Sequence, residues 1–492
     1  MRRTVIVGNG MAGARLAEDL CRRDPDGTRV SITVVGDEPQ PAYNRILLST
    51  VLAGGLTPQD TRLHPTGWYE SRGIAARLGV TVTEIDPDTQ TVLLSDGSPV
   101  GYDELVLATG SSPFLPPVAG LLDAGGDLAA DVVPFRTVED CTAIIAAVRS
   151  GTRVVVLGGG VLGLEAARGL LIRGAHVTVV HPVDFPMDRQ LDPPGAAVLT
   201  RVLRSLGLTL LLGRFATMLT TDRPGARHLI LDDGTEVPVD LVVLTAGIRP
   251  RIELARAAGL LIGKGIVVDD RMHTSAAHVW AIGECAQHGG IVYGLVQPAW
   301  DQAAVAANHL TGTDTSARYR GSTPITRLKA HGIDLASMGE VRTDLDSSDA
   351  EVLAIADPTR GRYAKVVVRD GRLVGAVTLG NPDVVGTLTQ LFDTRAPVPA
   401  DRMSLLLGRA PPEVDPRPAH LTAAAIVCRC NSVTKQHLTA AFRAGARTPA
   451  ALAAKTRAGT GCGECRHLVE GYCRHLNDGT TVALPSSGPV SS

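Results

Sequence analysis

Apolar and polar stretches alternate at the start of the chain in the order strand, turn, helix and strand. Residues 4–7 form a β-branched apolar run, residues 14–23 form a helical stretch, and residues 31–35 form a second apolar run. Short apolar runs bounded by glycine are typical of buried strands, and longer periodic stretches are typical of helices. The pattern therefore predicts a βαβ unit at this end of the chain.

The turn inside this unit has the sequence Gly-x-Gly-x-x-Gly, formed by Gly8, Gly10 and Gly13. In dinucleotide-binding units the first glycine permits the tight turn, the second lets the backbone approach a pyrophosphate, and the third lets helix and strand pack closely. The helix N-terminus favours the anion through its free N–H groups and its dipole. Asp37 and Glu38 follow the second strand, where they are placed to accept hydrogen bonds from an adenosine ribose.

A second unit with the same pattern lies further along the chain. Its turn contains Gly158, Gly160 and Gly163, between an apolar run at residues 152–157 and a helical stretch at residues 164–171. Two such units predict two nucleotide sites, one that holds a dinucleotide permanently and one that exchanges it.

The strand that follows the second turn, at residues 175–180, leads into His181, where an NAD site often carries an acid. An arginine pair that could bind the 2′-phosphate of NADPH is also missing just beyond this strand. These residues therefore leave the choice between NADH and NADPH open.

Half of the eight cysteines form two tight pairs, Cys428 with Cys430 and Cys462 with Cys465. Four thiolates can hold a tetrahedral zinc ion or an iron–sulfur cluster, since both prefer soft sulfur donors. Structural zinc usually binds pairs separated by two to four residues, and a C-x-C pair fits that spacing poorly. A third interpretation is four unrelated buried thiols, and the tight pairing among glycines argues against it.

Composition places the chain among ordinary globular proteins. Its 492 residues are 44% apolar and 20% charged, and the net charge of −2 points to neither nucleic acid nor a membrane surface. No apolar run approaches the length of a membrane span, and no hydrophobic signal segment precedes the first strand. Thiolate ligands need a reducing compartment, so we expect roughly three domains in a cytoplasmic protein.

Three further stretches extend the pattern. Residues 102–110 and residues 241–250 are each a strand that enters a turn of small residues, and residues 279–286 contain a strand that ends with the acid Glu284. With the two glycine-rich units, they make residues 1–310 resemble the pyridine-nucleotide–disulfide reductase superfamily of two-dinucleotide flavoproteins. The likeness is greatest to the flavoprotein part of bacterial NADH-dependent assimilatory nitrite reductase large subunits and assimilatory nitrate reductase electron transfer subunits.

This resemblance implies cofactors and site residues. The first glycine-rich unit would bind FAD, and the second would bind the nicotinamide cofactor, with NADH favoured. Arg45 would lie beside the flavin, the backbone of Val82 would contact the adenine, Glu284 would bind the ribityl chain, and Glu165 would lie near the nicotinamide. No catalytic acid or base is assigned. The implied cofactor-binding residues are Gly8, Gly10, Gly13, Asp37, Glu38, Arg45, Val82, Thr109, Gly110, Gly158, Gly160, Gly163, Glu165 and Glu284.

The paired cysteines lie in a stretch similar to the bacterioferritin-associated ferredoxin-like (BFD-like) [2Fe–2S] module, including the 31 residues between Cys430 and Cys462. By that resemblance Cys428, Cys430, Cys462 and Cys465 would bind a [2Fe–2S] cluster. A proline-rich stretch before the module is typical of a linker.

The expected fold is α/β, a two-dinucleotide-binding (Rossmann-like) flavoprotein with a small α+β third domain and a C-terminal helical [2Fe–2S] domain. The reductase domain is predicted at residues 1–320, with its NAD(P)-binding insertion at about 150–245. The parts predicted after it are the small domain at residues 321–408, the linker at 409–423, the [2Fe–2S] domain at 424–476 and a disordered tail at 477–492. The small domain is often an interface in such reductases, which allows a homodimer.

One departure from the superfamily bears on function. Disulfide reductases carry a C-x₄-C pair beside the flavin, but this chain has only Cys21 there. Cys21, Cys141, Cys285 and Cys473 are interpreted as packing thiols. Without a disulfide acceptor, electrons from NAD(P)H would pass through FAD one at a time to the cluster. Since the sequence ends before any sirohaem domain, we expect a separate nitrate or nitrite reductase catalytic subunit as partner.

Alternative functions remain open at this point. The chain could be an NAD(P)H-dependent reductase of a ferredoxin, a rubredoxin or an oxygenase. It could also be a redox- or iron-sensing flavoprotein, whose output is partner binding, or a flavoprotein fused to a zinc-stapled binding module. Rapid oxidation of NAD(P)H by artificial acceptors would favour a reductase over a sensor.

Overall fold

The computed structural model describes residues 1–223, 226–323, 325–408, 422–423, 425–428, 431, 433–460 and 465–477. Most of the predicted linker at 409–423 and almost all of the predicted tail at 477–492 lie outside the described residues. Within the described ranges, no helix has the length and apolar character that crossing a membrane requires.

The first segment contains a parallel sheet and a small antiparallel sheet. Its strands are β1 Arg2–Val7, β2 Val30–Gly36, β3 Ala75–Leu78, β4 Val82–Asp86, β5 Thr91–Leu94, β6 Pro99–Gly101, β7 Glu104–Leu107 and β8 Ser111–Pro113. Its helices are α1 Met11–Arg23, α2 Leu48–Leu52 and α3 Trp68–Ser71. The predicted βαβ unit is confirmed, and α1 begins directly at the glycine-rich turn.

The second segment repeats this arrangement around its own parallel sheet. Its strands are β9 Val132–Pro134, β10 Arg153–Leu157, β11 His176–His181, β12 Thr209–Leu212, β13 Ala216–Arg223, β14 Ala226–Leu231, β15 Glu236–Val239 and β16 Leu241–Leu244. Its helices are α4 Val138–Ala147, α5 Val161–Ile172 and α6 Pro193–Ser205. The sheet order is β12-β11-β10-β16-β9. Because β9 belongs to this sheet, the unit begins before the predicted boundary at about residue 150.

The third segment returns to the first sheet. It contains β17 Ile248–Pro250, β18 Ile266–Val268, β19 Val279–Ala281, β20 Ala286–His288, β21 Ile291–Val292, α7 Glu253–Ala257 and α8 Val296–Thr311. Strand β19 pairs in parallel with β7, which completes the sheet order β19-β7-β1-β2-β3. The C-terminal ends of β1, β7 and β19 therefore lie at one edge of the sheet, where ligands bind in folds of this kind.

The fourth segment is the small α+β domain. An antiparallel sheet of order β22-β23-β26-β25-β24 is covered by helix α9, whose buried face packs on the sheet. The elements are β22 Ile325–Leu328, β23 Leu335–Gly339, β24 Glu351–Asp357, β25 Arg362–Arg369, β26 Arg372–Leu379, α9 Val385–Thr394 and α10 Met403–Leu407. Its other face joins the core of the second segment, through buried residues such as Leu335, Val377 and Leu379.

The C-terminal module is a short hairpin followed by three helices. The elements are β27 Ile426–Cys428, β28 Val433–Thr434, α11 Lys435–Arg443, α12 Pro449–Thr456 and α13 Arg466–Asn477. Threonine side chains cap two of the helices, since Thr434 and Thr448 accept hydrogen bonds from backbone N–H groups of their first turns. The module has its own core, which includes Leu438, Leu452 and Tyr472.

Candidate functional site

The first glycine of each glycine-rich turn occupies a backbone conformation that requires glycine. Gly8 has φ of 112° and Gly158 has φ of 120°, a region that other residues rarely adopt. A Cβ atom would collide with the carbonyl oxygen of Ala108 at the first turn and with that of Thr245 at the second. The two turns are therefore built in the same way, each against the strand that lies beside it.

In each turn, the third glycine allows close packing of the helix on the strand, and the second leaves open space in front of the helix N-terminus. A Cβ atom at Gly13 or Gly163 would collide with the carbonyl oxygen of the first glycine of its own turn, which explains the close packing of helix on strand. A Cβ atom at Gly10 or Gly160 would meet no protein atom within 4 Å. Both of these glycines line a cavity, so an open face remains where a pyrophosphate would approach the helix N-terminus.

One cavity of about 2720 Å³ connects the two turns, the small domain and the C-terminal module. Its volume exceeds that of an ordinary single-ligand pocket. The predicted site residues that line it are Gly8, Gly10, Asp37, Glu38, Arg45, Thr109, Gly110, Gly158, Gly160, Glu165, Glu284, Cys428 and Cys465. Val82, in β4, and the third glycines of the two turns, Gly13 and Gly163, are outside this lining. Cys430 and Cys462 lie outside the described residues.

The acidic pair after β2 is held by cations and a phenol. Asp37 forms an ion pair of 2.7 Å with Arg251. Glu38 accepts a hydrogen bond of 2.6 Å from the hydroxyl of Tyr43 and forms an ion pair with Arg45. Burial, followed by the neighbouring carboxylate, raises the pKa of Tyr43. Arg45 thus lies at the edge of the cavity, beside the acid predicted to bind the ribose.

Glu284 belongs to a polar group that sequence reasoning did not identify. Its carboxylate accepts a hydrogen bond of 2.7 Å from the hydroxyl of Ser111 and forms an ion pair with Arg136. Arg136 also donates to Ser111 over 2.9 Å, and Arg45 donates to the carbonyl oxygen of Arg136 over 3.2 Å. Arg136 and Ser111 are far from Glu284 in sequence and belong to no motif, so only the fold brings them together.

The small domain closes the side of the cavity that contains Glu165. Glu165 lies on α5, is buried, and accepts a hydrogen bond of 2.9 Å from the backbone N–H of Lys329. Arg168, one turn further along α5, donates to the carbonyl oxygen of His331 over 3.1 Å. Lys329 and His331 follow β22 and line the same cavity. The sequence analysis gave this domain a role only as an interface and did not predict its contribution to the lining.

At the end of β11, the ring of His181 lies against the second glycine-rich turn. Its Nδ1 accepts a hydrogen bond of 3.2 Å from the N–H of Gly159, and its Nε2 lies 3.4 Å from a carboxylate oxygen of Asp188. Burial lowers the pKa of His181. Arg214 donates its backbone N–H to the carbonyl oxygen of His181 over 3.1 Å, and Arg189 also lines the cavity. Cationic and anionic side chains therefore both occur near this strand end.

Two cysteines of the C-terminal module face the cavity. Cys428 ends β27 and is fully buried, while Cys465 directly precedes α13 and is 6% exposed. The side-chain amide of Asn431 donates to the sulfur of Cys428 over 3.6 Å. Thiols shielded from water, with an N–H group directed at sulfur, are a donor set suited to an iron–sulfur cluster. The described part of the module therefore fits the predicted cluster.

The remaining cysteines occupy packing positions. Cys141 and Cys285 are fully buried and donate to backbone carbonyl oxygens over 3.6 Å and 3.4 Å. Burial raises the pKa of Cys141 to about 11 and also raises the pKa values of Cys285, Cys21 and Cys473. A raised pKa keeps a thiol protonated and unreactive. Their positions agree with the interpretation as packing thiols.

Comparison with known families accounts for three parts of the chain. The pyridine nucleotide-disulphide oxidoreductase family matches residues 2–309. The rubredoxin NAD⁺ reductase C-terminal domain matches residues 324–394, and the BFD-like [2Fe–2S] binding domain matches residues 426–474. The chain therefore belongs to the pyridine nucleotide-disulphide oxidoreductase family, with a BFD-like domain at its C-terminal end. It is an oxidoreductase whose cofactors are FAD, NAD(P)H and a [2Fe–2S] cluster.

Two relatives from Bacillus subtilis match almost the whole of this chain. The chain is 37% identical over 476 residues to the nitrite reductase [NAD(P)H] of Bacillus subtilis, covering 96% of this chain and 58% of the relative. It is 36% identical over 490 residues to the assimilatory nitrate reductase electron transfer subunit of the same organism, covering 99% of this chain and 61% of the relative. The chain thus spans about three-fifths of the length of these relatives.

Solved structures confirm the predicted flavoprotein fold. The covalent putidaredoxin reductase–putidaredoxin complex matches with a TM-score of 0.73 and 29% identity, over 83% of this chain and 99% of that chain. The ferredoxin reductase of the CYP199A2 system from Rhodopseudomonas palustris matches with a TM-score of 0.73 and 25% identity, over 86% of this chain and 100% of that chain.

Proposed function

We propose that this chain carries electrons from NAD(P)H, by way of FAD and a [2Fe–2S] cluster, to a separate catalytic subunit that reduces nitrate or nitrite. The observation that supports this most directly is the shared cavity. Both glycine-rich turns, the Glu284 group and the cluster cysteines Cys428 and Cys465 line it. The residues proposed to bind the nicotinamide cofactor, FAD and the cluster therefore line one continuous cavity.

FAD, when bound, accepts a hydride and can release electrons singly, which suits a cluster that takes one electron at a time. The role of the protein residues is to bind the cofactors and to orient them. The turns at Gly10 and Gly160 would hold the two pyrophosphates, and Glu284, fixed by Arg136 and Ser111, would bind the ribityl chain. No proton transfer by a side chain is required of them.

Glu165 is assigned to the nicotinamide side. Its hydrogen bond to the backbone of Lys329 fixes one carboxylate oxygen, so the small domain and α5 together hold the carboxylate beside the second turn. Glu165 is largely buried and also lines the cavity, so its carboxylate is held in place beside the second turn. The resemblance favours NADH as the reductant.

The partner is proposed from the names of the relatives. One relative is named an electron transfer subunit of assimilatory nitrate reductase, and others are named nitrite reductases. A catalytic partner follows for a chain that only transfers electrons, and a molybdenum cofactor or sirohaem would supply its chemistry. A cytoplasmic location and a homodimer formed through the small domain are part of the same proposal.

The test combines the purified holoprotein with a nitrate or nitrite reductase catalytic subunit and follows NADH-dependent loss of nitrate or nitrite. Cys428→Ser is expected to reduce partner-directed activity by more than about a hundredfold, because the cluster loses a ligand, while reduction of FAD by NADH continues. Cys473→Ser is the matched control, since Cys473 is equally buried in the same module. Full activity of Cys428→Ser would contradict the proposed route.

A second candidate is a reductase of a small electron carrier. It is favoured by the match of residues 324–394 to the rubredoxin NAD⁺ reductase C-terminal domain and by the likeness to a putidaredoxin reductase. NADH-dependent reduction of a ferredoxin or rubredoxin that persists in Cys428→Ser would support this candidate, since the electrons would then leave directly from the flavin.

A further inference from the structure

The C-terminal module contacts the flavin-binding segment at a defined surface. Ile46, which directly follows Arg45 of the cavity, packs against the core of the module. The same side chain packs against Met11 and Trp300, which lie beside the first glycine-rich turn. The apolar contact therefore connects the core of the cluster module with residues next to the proposed flavin site.

An ion pair lies beside this apolar contact. Arg457, at the end of α12, forms an ion pair of 2.6 Å with Glu18 of α1. The two side chains are 16% and 30% exposed, so water screens the pair less than it screens a surface pair. The guanidinium of Arg457 also lies 5.9 Å from the ring centroid of Trp300, which is buried. A cation beside an indole ring adds to the attraction.

The backbone of Arg457 continues the connection towards the cluster. Arg457 has φ of 64°, and its carbonyl oxygen accepts hydrogen bonds of 2.6 Å from Asn431 and 2.8 Å from Thr460. The same amide group of Asn431 donates to the sulfur of Cys428. A short chain of contacts thus leads from Glu18 in the flavin-binding segment, through Arg457 and Asn431, to a predicted cluster ligand.

The contact between Glu18 and Arg457 joins opposite charges, and α1 also carries three arginines. Residues 426–474 contain eight Lys and Arg residues but two Asp and Glu residues, although the net charge of the whole chain is −2. On α1, the neighbouring acid Asp19 is already engaged by Arg15 and Arg22. Glu18 is therefore the acid of this part of α1 that is directed to the basic module.

We propose that Glu18 and Arg457 are positioning residues, which dock the cluster module on the flavin-binding segment in the arrangement from which the cluster is reduced. This inference rests on the proposed function, since it presupposes electron transfer from flavin to cluster within one chain. Because electron transfer within the chain depends on how the two sites are held, loss of the ion pair slows reduction of the cluster and leaves reduction of FAD by NADH unchanged.

The test uses Arg457→Gly and Glu18→Gln in the full chain. Glycine tolerates the positive φ at position 457, so Arg457→Gly removes the side chain without straining the turn that holds Asn431. Arg395→Gly is the matched control, because Arg395 also ends a helix with positive φ, of 50°, and is exposed in the small domain. Glu18→Gln leaves the module itself unaltered. The charge-reversed pair Glu18→Arg with Arg457→Glu tests direct interaction.

Two readouts are compared after anaerobic mixing with NADH: the bleaching rates of flavin and cluster absorbance, and hydrogen–deuterium exchange of α1 and α12. We expect cluster bleaching to slow about tenfold in both single variants, with faster exchange in α1 and α12. Flavin bleaching stays at the wild-type rate, and Arg395→Gly behaves as wild type. The charge-reversed pair is expected to recover to within about threefold of wild type.

Wild-type bleaching and exchange in Arg457→Gly and Glu18→Gln would overturn the proposal, as would a charge-reversed pair no faster than Glu18→Arg alone. An equal effect in Arg395→Gly would overturn it as well, since the loss would then come from the glycine. The proposed function fails in a different way, because the cluster of the wild-type protein would then not be bleached by NADH.

Discussion

At Gly10, an added methyl group is expected to impair cofactor binding without affecting folding. Its φ of −77° suits alanine, and a Cβ atom there meets no protein atom within 4 Å. The same atom would lie on the face that a pyrophosphate must approach. Gly10→Ala is expected to keep its thermal midpoint within about 2 °C of wild type when both are freed of FAD, and to contain less than about a tenth of the wild-type FAD.

The matched variant is Gly160→Ala in the second turn, where the backbone and the open space are the same. It should retain FAD and raise the Kd for the nicotinamide cofactor about tenfold or more. Absorbance of the released flavin and titration with NADH measure the two effects. If Gly160→Ala loses FAD while Gly10→Ala keeps it, the assignment of FAD to the first turn and of the nicotinamide cofactor to the second is wrong.

His64 gives a prediction about pH. Burial, followed by the positive charge of Arg457, lowers its pKa to about 4, and its ring stacks on Trp68 with centroids 3.7 Å apart. Because an unfolded histidine titrates near 6.5, only the unfolded chain gains the proton between these values. The free energy of unfolding should therefore fall by up to about 3 kcal/mol between pH 7 and pH 4.

Urea denaturation at several pH values measures this dependence. His64→Phe keeps an aromatic ring on Trp68 but cannot titrate, so the contribution of His64 to the slope between pH 6.5 and 4 should disappear. His176→Gln, which changes an exposed histidine, should leave the slope as it is. An unchanged slope in His64→Phe would show that other groups carry the pH dependence.

At the scale of elements, a buried ion pair joins helix α6 to the small domain. Asp192 caps α6 through Gly195, and it also accepts from the ammonium of Lys365 over 2.8 Å and from the hydroxyl of Tyr363 over 2.6 Å. Both charged side chains are less than a tenth exposed. Lys365→Met would leave a buried carboxylate without its cation, so the free energy of unfolding should fall by about 3 kcal/mol.

The control is Arg360→Ala, which breaks an ion pair with Asp357 at the surface of the same sheet, where the arginine side chain is 71% exposed. A surface pair is worth less than about 1 kcal/mol. Thermal or urea unfolding compares the two variants. Equal losses of stability would show that the buried pair contributes no more than a surface pair.

The elements that the sequence predicted well are those whose strand, turn and helix patterns follow one another directly along the chain. Strand β1, its glycine-rich turn and α1 follow each other directly, as do β10, its turn and α5. Strand β9 is three residues long, too short for a periodic pattern to develop. Its place at the edge of the second sheet is set by pairing with β16, which lies more than a hundred residues away.

The same distinction applies to the site. The glycines and the acids that end strands were predicted because a local motif carries them. Arg136, Ser111 and Lys329 were missed, because their contacts to Glu284 and Glu165 join distant segments. The cofactor and metal roles given to the site residues stay predictions. Val82 lies outside the cavity lining, and Cys430 and Cys462 lie outside the described residues.

At the scale of the whole molecule, one cavity joins the two dinucleotide turns to the cluster module. The small domain closes the side that contains the second turn and Glu165, and the module contributes Cys428, Cys465 and Leu468 to the lining. Under the proposed function, this arrangement would give the family fold an outlet for single electrons, in place of the C-x₄-C pair that the sequence lacks beside the first turn. The account as a whole depends on the metal being iron.

The most direct test is an iron assay and visible spectrum of anaerobically purified protein, recorded before and after addition of NADH. The account predicts flavin bands with about two iron atoms per chain, and bleaching of both the flavin and the cluster absorbance by NADH. Flavin with zinc and no iron, or a cluster that stays oxidised while the flavin is reduced, would contradict the relay.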